Sequence, residues 1–263
     1  MKKGSFTKED VKKFWEQNTC GTQVGSGQEG TPEYYDAIEK FRYTYEPFIP
    51  ELVQFPKWKG KKMLEIGMGA GTDFMQFVRA GAEAHGIDLT EKSIEHVKRR
   101  LAQQGLTAHI SQADAENLPF YSNTFDFVYS WGVIHHTPNT QKAAQEIYRV
   151  LKPQGSFLVM LYHKWSWLVL YLLVMRGILK GQLFTKRLER IISEHTEWNN
   201  PQNPLTKVYS RQEAKQMFRQ FPKLSVRVLK TQSYSDDWRG RLFQFLNNRF
   251  PQFGWYLIIE GQK

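Results

Sequence analysis

The stretch Leu64-Glu65-Ile66-Gly67-Met68-Gly69-Ala70-Gly71-Thr72 decides how this chain is read. Lys62–Ile66 is a short apolar run of strand length that enters a glycine loop, and Gly71–Arg79 behind it reads as a helix. Glycines at such a turn give the backbone unusual dihedrals and let a ligand approach the main chain closely. Working outward, Glu83–Ile87 is a second strand ending at Asp88, and Thr90 caps a helix from Glu91 to about Gln104. Thr107–Ser111 and Phe125–Ser130 are the third and fourth strands. Thr140 caps a helix to Leu151, Lys152-Pro153-Gln154-Gly155 breaks it, and Ser156–Tyr162 is the fifth strand. Beyond residues 163–209, Ser210 and Glu213 form a capping box for a helix to about Phe221. Leu224–Leu229 and Trp255–Ile259 are the last two strands. This alternation predicts an α/β fold, a parallel sheet with helices on both faces.

The core so defined runs from residue 60 to 263, with an insertion at 163–209 and an added N-terminal segment, 1–59. That segment starts with a helix over 7–17, which Thr7 and Asp10 cap. A glycine-containing loop (18–31) and an aromatic, helical stretch (32–55) follow. In 263 residues, 41% hydrophobic and 24% charged, a full core can be buried, which excludes a disordered or fibrous chain. A single cysteine, Cys20, excludes an intrachain disulfide framework, and Met1–Val11 shows no apolar secretion signal, so a cytoplasmic location is expected. The net charge is +10, and its placement is uneven. Residues 1–160 balance 19 basic against 19 acidic side chains, whereas 161–263 carry 17 against 7. An acidic partner or an anionic surface would lie near the C-terminal part.

Three acidic or glycine signals follow one another at strand ends. The glycine loop closes the first strand and Asp88 the second, where a carboxylate can accept both hydroxyls of a ribose. Asp114 follows the third, placed to accept from an adenine amine. The glycine spacing is G-x-G-x-G, with Thr72 where dinucleotide sites carry their third glycine, so nicotinamide chemistry is disfavoured. The order of these features predicts a nucleoside-binding site.

The stretches LEIGMGAG (64–71), GIDLT (86–90), ADAENLPF (113–120), FDFVYSWGVIHH (125–136) and EIYRVLKPQGSFLVM (146–160) resemble the class I S-adenosylmethionine-dependent methyltransferases. The likeness is to the small-molecule branch that includes ubiquinone and menaquinone C-methyltransferases. Beside an N-terminal helical lid and an α-helical insertion after the fifth strand, which lie outside the shared core, it implies a Rossmann-like, doubly wound, seven-stranded sheet with an antiparallel last strand. It also implies that Gly67, Gly69 and Gly71 line the methionine moiety of S-adenosylmethionine and that Glu65 lies near its ammonium. Asp88 would hold the ribose, Leu89 would lie against adenine, Asp114 and Ala115 would bind the adenine edge, and Ser130 and Trp131 would border the methyl. The acceptor would be chosen by the N-terminal segment and the insertion.

His135 and His136 follow the fourth strand, where a histidine could take a proton from a hydroxyl or amine acceptor, or only shape the loop. Tyr35, Tyr45, Tyr162 and His163 are candidate acceptor contacts, with Arg42, His195, Trp198 and Tyr209 as weaker ones. No metal is expected, because the histidine pair lacks a third partner in the sequence. The apolar run Trp165–Met175 is too short to span a membrane. It reads as a buried helix, as a cap over an apolar pocket, or as an interfacial helix beside Arg176, Lys180, Lys186, Arg187 and Arg190, touching an anionic membrane through residues 165–190. Nucleic acid is disfavoured as a partner, because no Pro-Pro-aromatic motif follows Ser130. These readings predict methyl transfer to an O, N or C atom of a small aromatic or lipophilic molecule; the alternative is a non-catalytic, cofactor-binding partner or sensor.

Overall fold

The computed structural model describes residues 6–197, 200–230 and 237–263. Its centre is a sheet of eight strands: β1 (Lys62–Ile66), β2 (Glu83–Asp88), β3 (His109–Gln112), β4 (Phe125–Trp131), β5 (Leu151–His163), β6 (Val208–Tyr209), β7 (Lys223–Leu229) and β8 (Tyr256–Gln262). The strand order is β3-β2-β1-β4-β5-β8-β7, and the two-residue β6 adds to the end of β5. β8 runs antiparallel to both β5 and β7, and the other pairs are parallel. Seven strands are therefore as expected, and the eighth is a short edge made by the insertion on its return.

Alternation along each strand sends neighbours to opposite faces of the sheet. Met63, Phe127 and Leu158 join one apolar layer with Phe74, Phe77 and Val97. Leu64, Val128 and Val159 join the other, with Ala143, Ile147 and Phe218. The first layer is closed by α4 (Thr72–Arg79) and α5 (Glu91–Gln103), the second by α6 (Thr140–Val150) and α9 (Arg211–Met217). Each of the larger of these side chains, fully buried, contributes about 1.5–3 kcal/mol. Because both faces are covered, the central strands read as continuous apolar runs.

The added segments pack onto this core. α1 (Lys8–Gln17) starts at Thr7 with both bonds of the capping box. α2 (Pro32–Tyr45) and α3 (Ile49–Val53) replace the single helical stretch expected over 32–55. In the insertion, α7 (Trp167–Tyr171) continues as a π-type turn over Leu172–Ile178, and α8 (Leu188–Thr196) follows. α10 (Trp238–Arg249) was not foreseen in the sequence. At α6 the cap is the Asn139 side chain, which accepts from the Lys142 N–H at 3.0 Å, in place of Thr140. No helix among the described residues is long and apolar enough to cross a membrane.

Candidate active site

The carboxyl ends of β1, β2, β4 and β5 open onto one cavity of about 1180 Å³, whose floor is the switch point where β1 pairs with β2 on one side and β4 on the other. Ordinary small-molecule pockets hold about 300–1,000 Å³, so two ligands fit side by side.

At the β1 end, Gly67 adopts φ +80°, and a Cβ there would come within 2.3 Å of the Val133 side chain. Only glycine fits, so the main chain itself forms the wall. The Gly69 N–H donates to Asp88 Oδ2 at 3.1 Å, and the Thr90 N–H and hydroxyl donate to Asp88 Oδ1 at 3.0 and 2.8 Å. Burial pushes the Asp88 carboxyl up against these donors. Glu65 is buried, lines the cavity, and has no partner for Oε2. Burial and then the neighbouring Asp73 charge push its carboxyl well above the usual range. A cationic ligand group would satisfy that oxygen. Gly71 and Ser130 do not line the cavity: Gly71 caps α4 in the left-handed conformation, and the buried Ser130 hydroxyl donates to Ile66 O at 3.3 Å. Trp131 lines the cavity, with the Arg42 guanidinium 5.5 Å from its ring centroid. Arg42 in turn bridges Asp73 and Glu46, and Asp73 also accepts from the Tyr43 and Tyr129 hydroxyls at 3.0 and 2.8 Å.

Leu89, Asp114 and Ala115 form the opposite end. Lys8 of α1 pairs with Asp114 and, at 3.0 Å, with Glu116. This ion pair is not legible in the sequence, since its partners lie on distant segments.

Another wall of the cavity is built by the loop after β4, the end of β5 and the insertion. His136 lines the cavity; its Nδ1–H donates to Leu205 O at 2.7 Å, and its Nε2 stands 3.5 Å from Glu197 Oε1. The Tyr162 hydroxyl donates to the same Oε1 at 2.8 Å. Glu197 thus supplies the third partner that the sequence did not reveal, because the insertion returns it to the loop after β4. His135 is fully buried off the cavity wall, 4.1 Å from the Tyr162 ring, and neither of its ring nitrogens has a partner. Burial pushes its imidazole well below the usual value.

Among the other candidates, Tyr45, Tyr162 and His195 line the cavity. Tyr35 and His163 do not. The Tyr35 hydroxyl meets His96 Nδ1 at 2.9 Å, and His163 Nδ1 meets Gly254 O at 3.1 Å; both are buried packing groups. Tyr209 donates to Thr140 Oγ1 at 2.8 Å away from the cavity, and Trp198 lies outside the described residues. The far wall is apolar. Trp167, Leu168 and Leu172 come from the insertion, and Phe243 and Leu246 from α10.

A glycine-walled switch point, a carboxylate at the end of β2 and an antiparallel last strand are the features that the resemblance to class I methyltransferases implies. Comparison with known proteins agrees. Residues 64–159 match the family described as methyltransferase domain. Phosphoethanolamine N-methyltransferase 2 of Caenorhabditis elegans is 34% identical over 46% of this chain and 28% of its own length. The ubiquinone/menaquinone biosynthesis C-methyltransferase UbiE of Haemophilus ducreyi is 34% identical over 40% of this chain and 43% of its own. The matched segments thus span less than half of these two relatives. The crystal structure of YcgJ from Bacillus subtilis superposes with a TM-score of 0.59 at 19% identity, covering 83% of this chain and 99% of that one. Residues 64–159 thus carry the signature of a methyltransferase domain, for which S-adenosylmethionine is the cofactor implied. The orphaned Glu65 Oε2, the main-chain wall at Gly67 and the carboxylate of Asp88 fit that group.

Proposed function

We propose that this chain moves a methyl group from S-adenosylmethionine to an O, N or C atom of a small aromatic or lipophilic molecule. The observation that carries this reading is the continuity of one cavity from Glu65, Gly67 and Asp88 to the apolar wall of α7 and α10. S-adenosylmethionine supplies a methyl group already activated on a sulfonium. The chain's own work is therefore to bind, align and exclude water. Glu65 takes the ammonium and Asp88 the ribose hydroxyls; Leu89 and Ala115 hold the adenine faces, and Asp114 its amine. Residues 1–59 act as a lid, with Val11 and Trp15 of α1 and Phe41 and Tyr45 of α2 closing the open side. Tyr45 and Tyr162 touch the acceptor. His136, on the acceptor side, is the group we assign to the acceptor's proton when that atom is oxygen or nitrogen.

The names of the two curated relatives place the methyl on nitrogen in one and carbon in the other. The shared core therefore leaves the acceptor to the parts it does not share. Those parts are apolar here, inside and out. Ile178, Leu179, Phe184 and Phe245 are 59%, 68%, 93% and 62% exposed. We assign this face to peripheral contact of a cytoplasmic protein with an anionic membrane. The test is calorimetry with S-adenosylmethionine and S-adenosylhomocysteine, followed by transfer of labelled methyl to a panel of lipophilic phenols, amines and quinones. Binding with transfer to at least one lipophilic class is expected. Absence of binding removes the proposal, and binding without transfer to any member favours a cofactor-binding partner or sensor.

A further inference from the structure

We infer that His135, His136 and Glu197 hold a divalent first-row transition-metal ion of the zinc class at the acceptor end of the cavity. Among the described residues, this is the group of His, Cys, Asp and Glu side chains whose ligand atoms all lie within 4.8 Å of one another. All three residues are buried, at 0%, 4% and 8% exposure. Two neutral imidazoles and one carboxylate suit zinc, cobalt or iron(II), and not calcium or magnesium, which take oxygen.

Two observations on hydrogen bonding point the same way. His136 gives its Nδ1–H to Leu205 O, which fixes the tautomer and leaves the Nε2 lone pair directed at Glu197. Metal-bound histidines usually have such an outer bond. The lone pair and the carboxylate oxygen then face each other at 3.5 Å with no hydrogen bond between them. That arrangement is repulsive unless something positive lies between. Two ligands of one tetrahedral ion, each bonded at about 2.0–2.2 Å, stand roughly 3.4 Å apart. A proton alone could bridge His136 and Glu197, but it would leave both nitrogens of the buried His135 unpartnered. A buried polar group left without a partner is unfavourable. One ion would take one of the two His135 nitrogens together with His136 Nε2 and the Glu197 carboxylate. Tyr162, donating to Glu197 Oε1 at 2.8 Å, orients the carboxylate from outside. His136 and Glu197 line the cavity, so the remaining position on the ion faces the acceptor. This inference rests on the acceptor-end reading given above: His136 would serve the acceptor's proton through an ion that acidifies a bound hydroxyl or amine.

The full chain, stripped with a chelator, is titrated with Zn²⁺ by calorimetry and with Co²⁺ by visible absorption. One ion per chain is expected, with the ligand-field bands of cobalt on nitrogen and oxygen ligands. Glu197→Gln and His136→Gln should each weaken binding by more than the roughly tenfold to hundredfold that loss of an outer partner such as Tyr162→Phe costs. Cys20 lines the same cavity, and Cys20→Ser must keep the ion. No stoichiometric binding by the wild type, unchanged binding in both ligand variants, or loss in Cys20→Ser overturns the inference. So does a doubly protonated His136 in ring-nitrogen NMR of the zinc-treated protein. Affinity for S-adenosylhomocysteine, measured on the same samples, reports that each variant is folded. It also separates the two readings: retained nucleoside binding without an ion overturns this inference alone, and an ion without nucleoside binding overturns the proposed function alone.

Discussion

Asp88 accepts three hydrogen bonds from Gly69 and Thr90, which hold its carboxylate at the mouth of the glycine loop. A ribose hydroxyl bonded to a carboxylate is worth about 1.5–3 kcal/mol. Asp88→Ala should therefore weaken S-adenosylmethionine binding by roughly tenfold to a hundredfold, read by calorimetry. Glu65 makes the second residue-scale prediction. Burial and Asp73 raise its pKa in the free protein, and a ligand ammonium beside it favours the charged form, lowering it again. Binding then releases a proton, and affinity rises with pH through the raised value. The rise should be read below about pH 7, where the ligand's α-amino group, with an ordinary pKa near 7.7–8.0, keeps its proton. Glu65→Gln should flatten the dependence; an equally steep profile in that variant would rule out Glu65 as the partner. Both residues were legible in the sequence because each lies at the end of a strand whose own pattern is local. Glu197 was not: nothing near it in the chain marks it, and only the return of the insertion brings it to His136.

At the scale of elements, α2 is held to α4 through Arg42, which sits between Asp73 and Glu46. Both carboxylates are buried, at 4% and 6% of side-chain exposure. Removing the cation would strand them, and breaking a buried pair in this way costs about 3–5 kcal/mol. Arg42→Ala should lose that much in urea unfolding monitored by circular dichroism, far beyond a surface substitution. α1 makes a weaker contact with a kinetic consequence. Lys8 is paired to Asp114, the carboxylate we assign to the adenine amine, and must release it when the nucleoside enters. Such partly exposed pairs are worth about 0.2–1 kcal/mol. Lys8→Met should raise the association rate of S-adenosylhomocysteine by up to roughly fivefold in stopped flow, and the gain should vanish in an Asp114→Asn background. Element types in the core were readable because strand and helix periods differ. α10 was missed for a physical reason. Trp238, Leu242, Phe243 and Leu246 line the cavity, but Trp238, Leu242 and Phe245 stay largely exposed and Arg239, Arg241 and Arg249 are interleaved with them in the sequence, so the apolar positions do not read as a core-facing stripe. β3 was expected at Thr107–Ser111 and lies at His109–Gln112, since a half-exposed edge strand has little apolar alternation to fix its start.

Over the whole molecule, the charge skew and the apolar run Trp165–Met175 were both legible, but not how they combine. The run caps the cavity with Trp167, Leu168 and Leu172, while Ile178 and Leu179, just past it, face outward. Two of the basic residues expected beside it are engaged internally: Lys186 and Arg190 both pair with Glu194. Lys180 and Arg187 remain exposed, as does Phe184. Electrostatic attraction alone would be screened within about 8 Å at physiological salt, whereas insertion of apolar side chains would not. The two contributions can therefore be separated. Sedimentation with vesicles containing phosphatidylserine should show binding that weakens, but persists in part, as salt is raised. Lys180→Glu with Arg187→Glu should remove the salt-sensitive part. Leu179→Glu with Phe184→Glu should remove the rest: each apolar side chain withdrawn from the interface forfeits up to about 1.5–3 kcal/mol, enough for at least a tenfold loss in partitioning. Because these side chains lie outside the nucleoside end, affinity for S-adenosylhomocysteine should stay unchanged in both variants. Transfer to a membrane-borne acceptor should fall with vesicle binding, and transfer to a water-soluble analogue should not. If all four substitutions leave vesicle binding intact, the apolar outer face has some other purpose and the lipophilic acceptor must reach the cavity from solution.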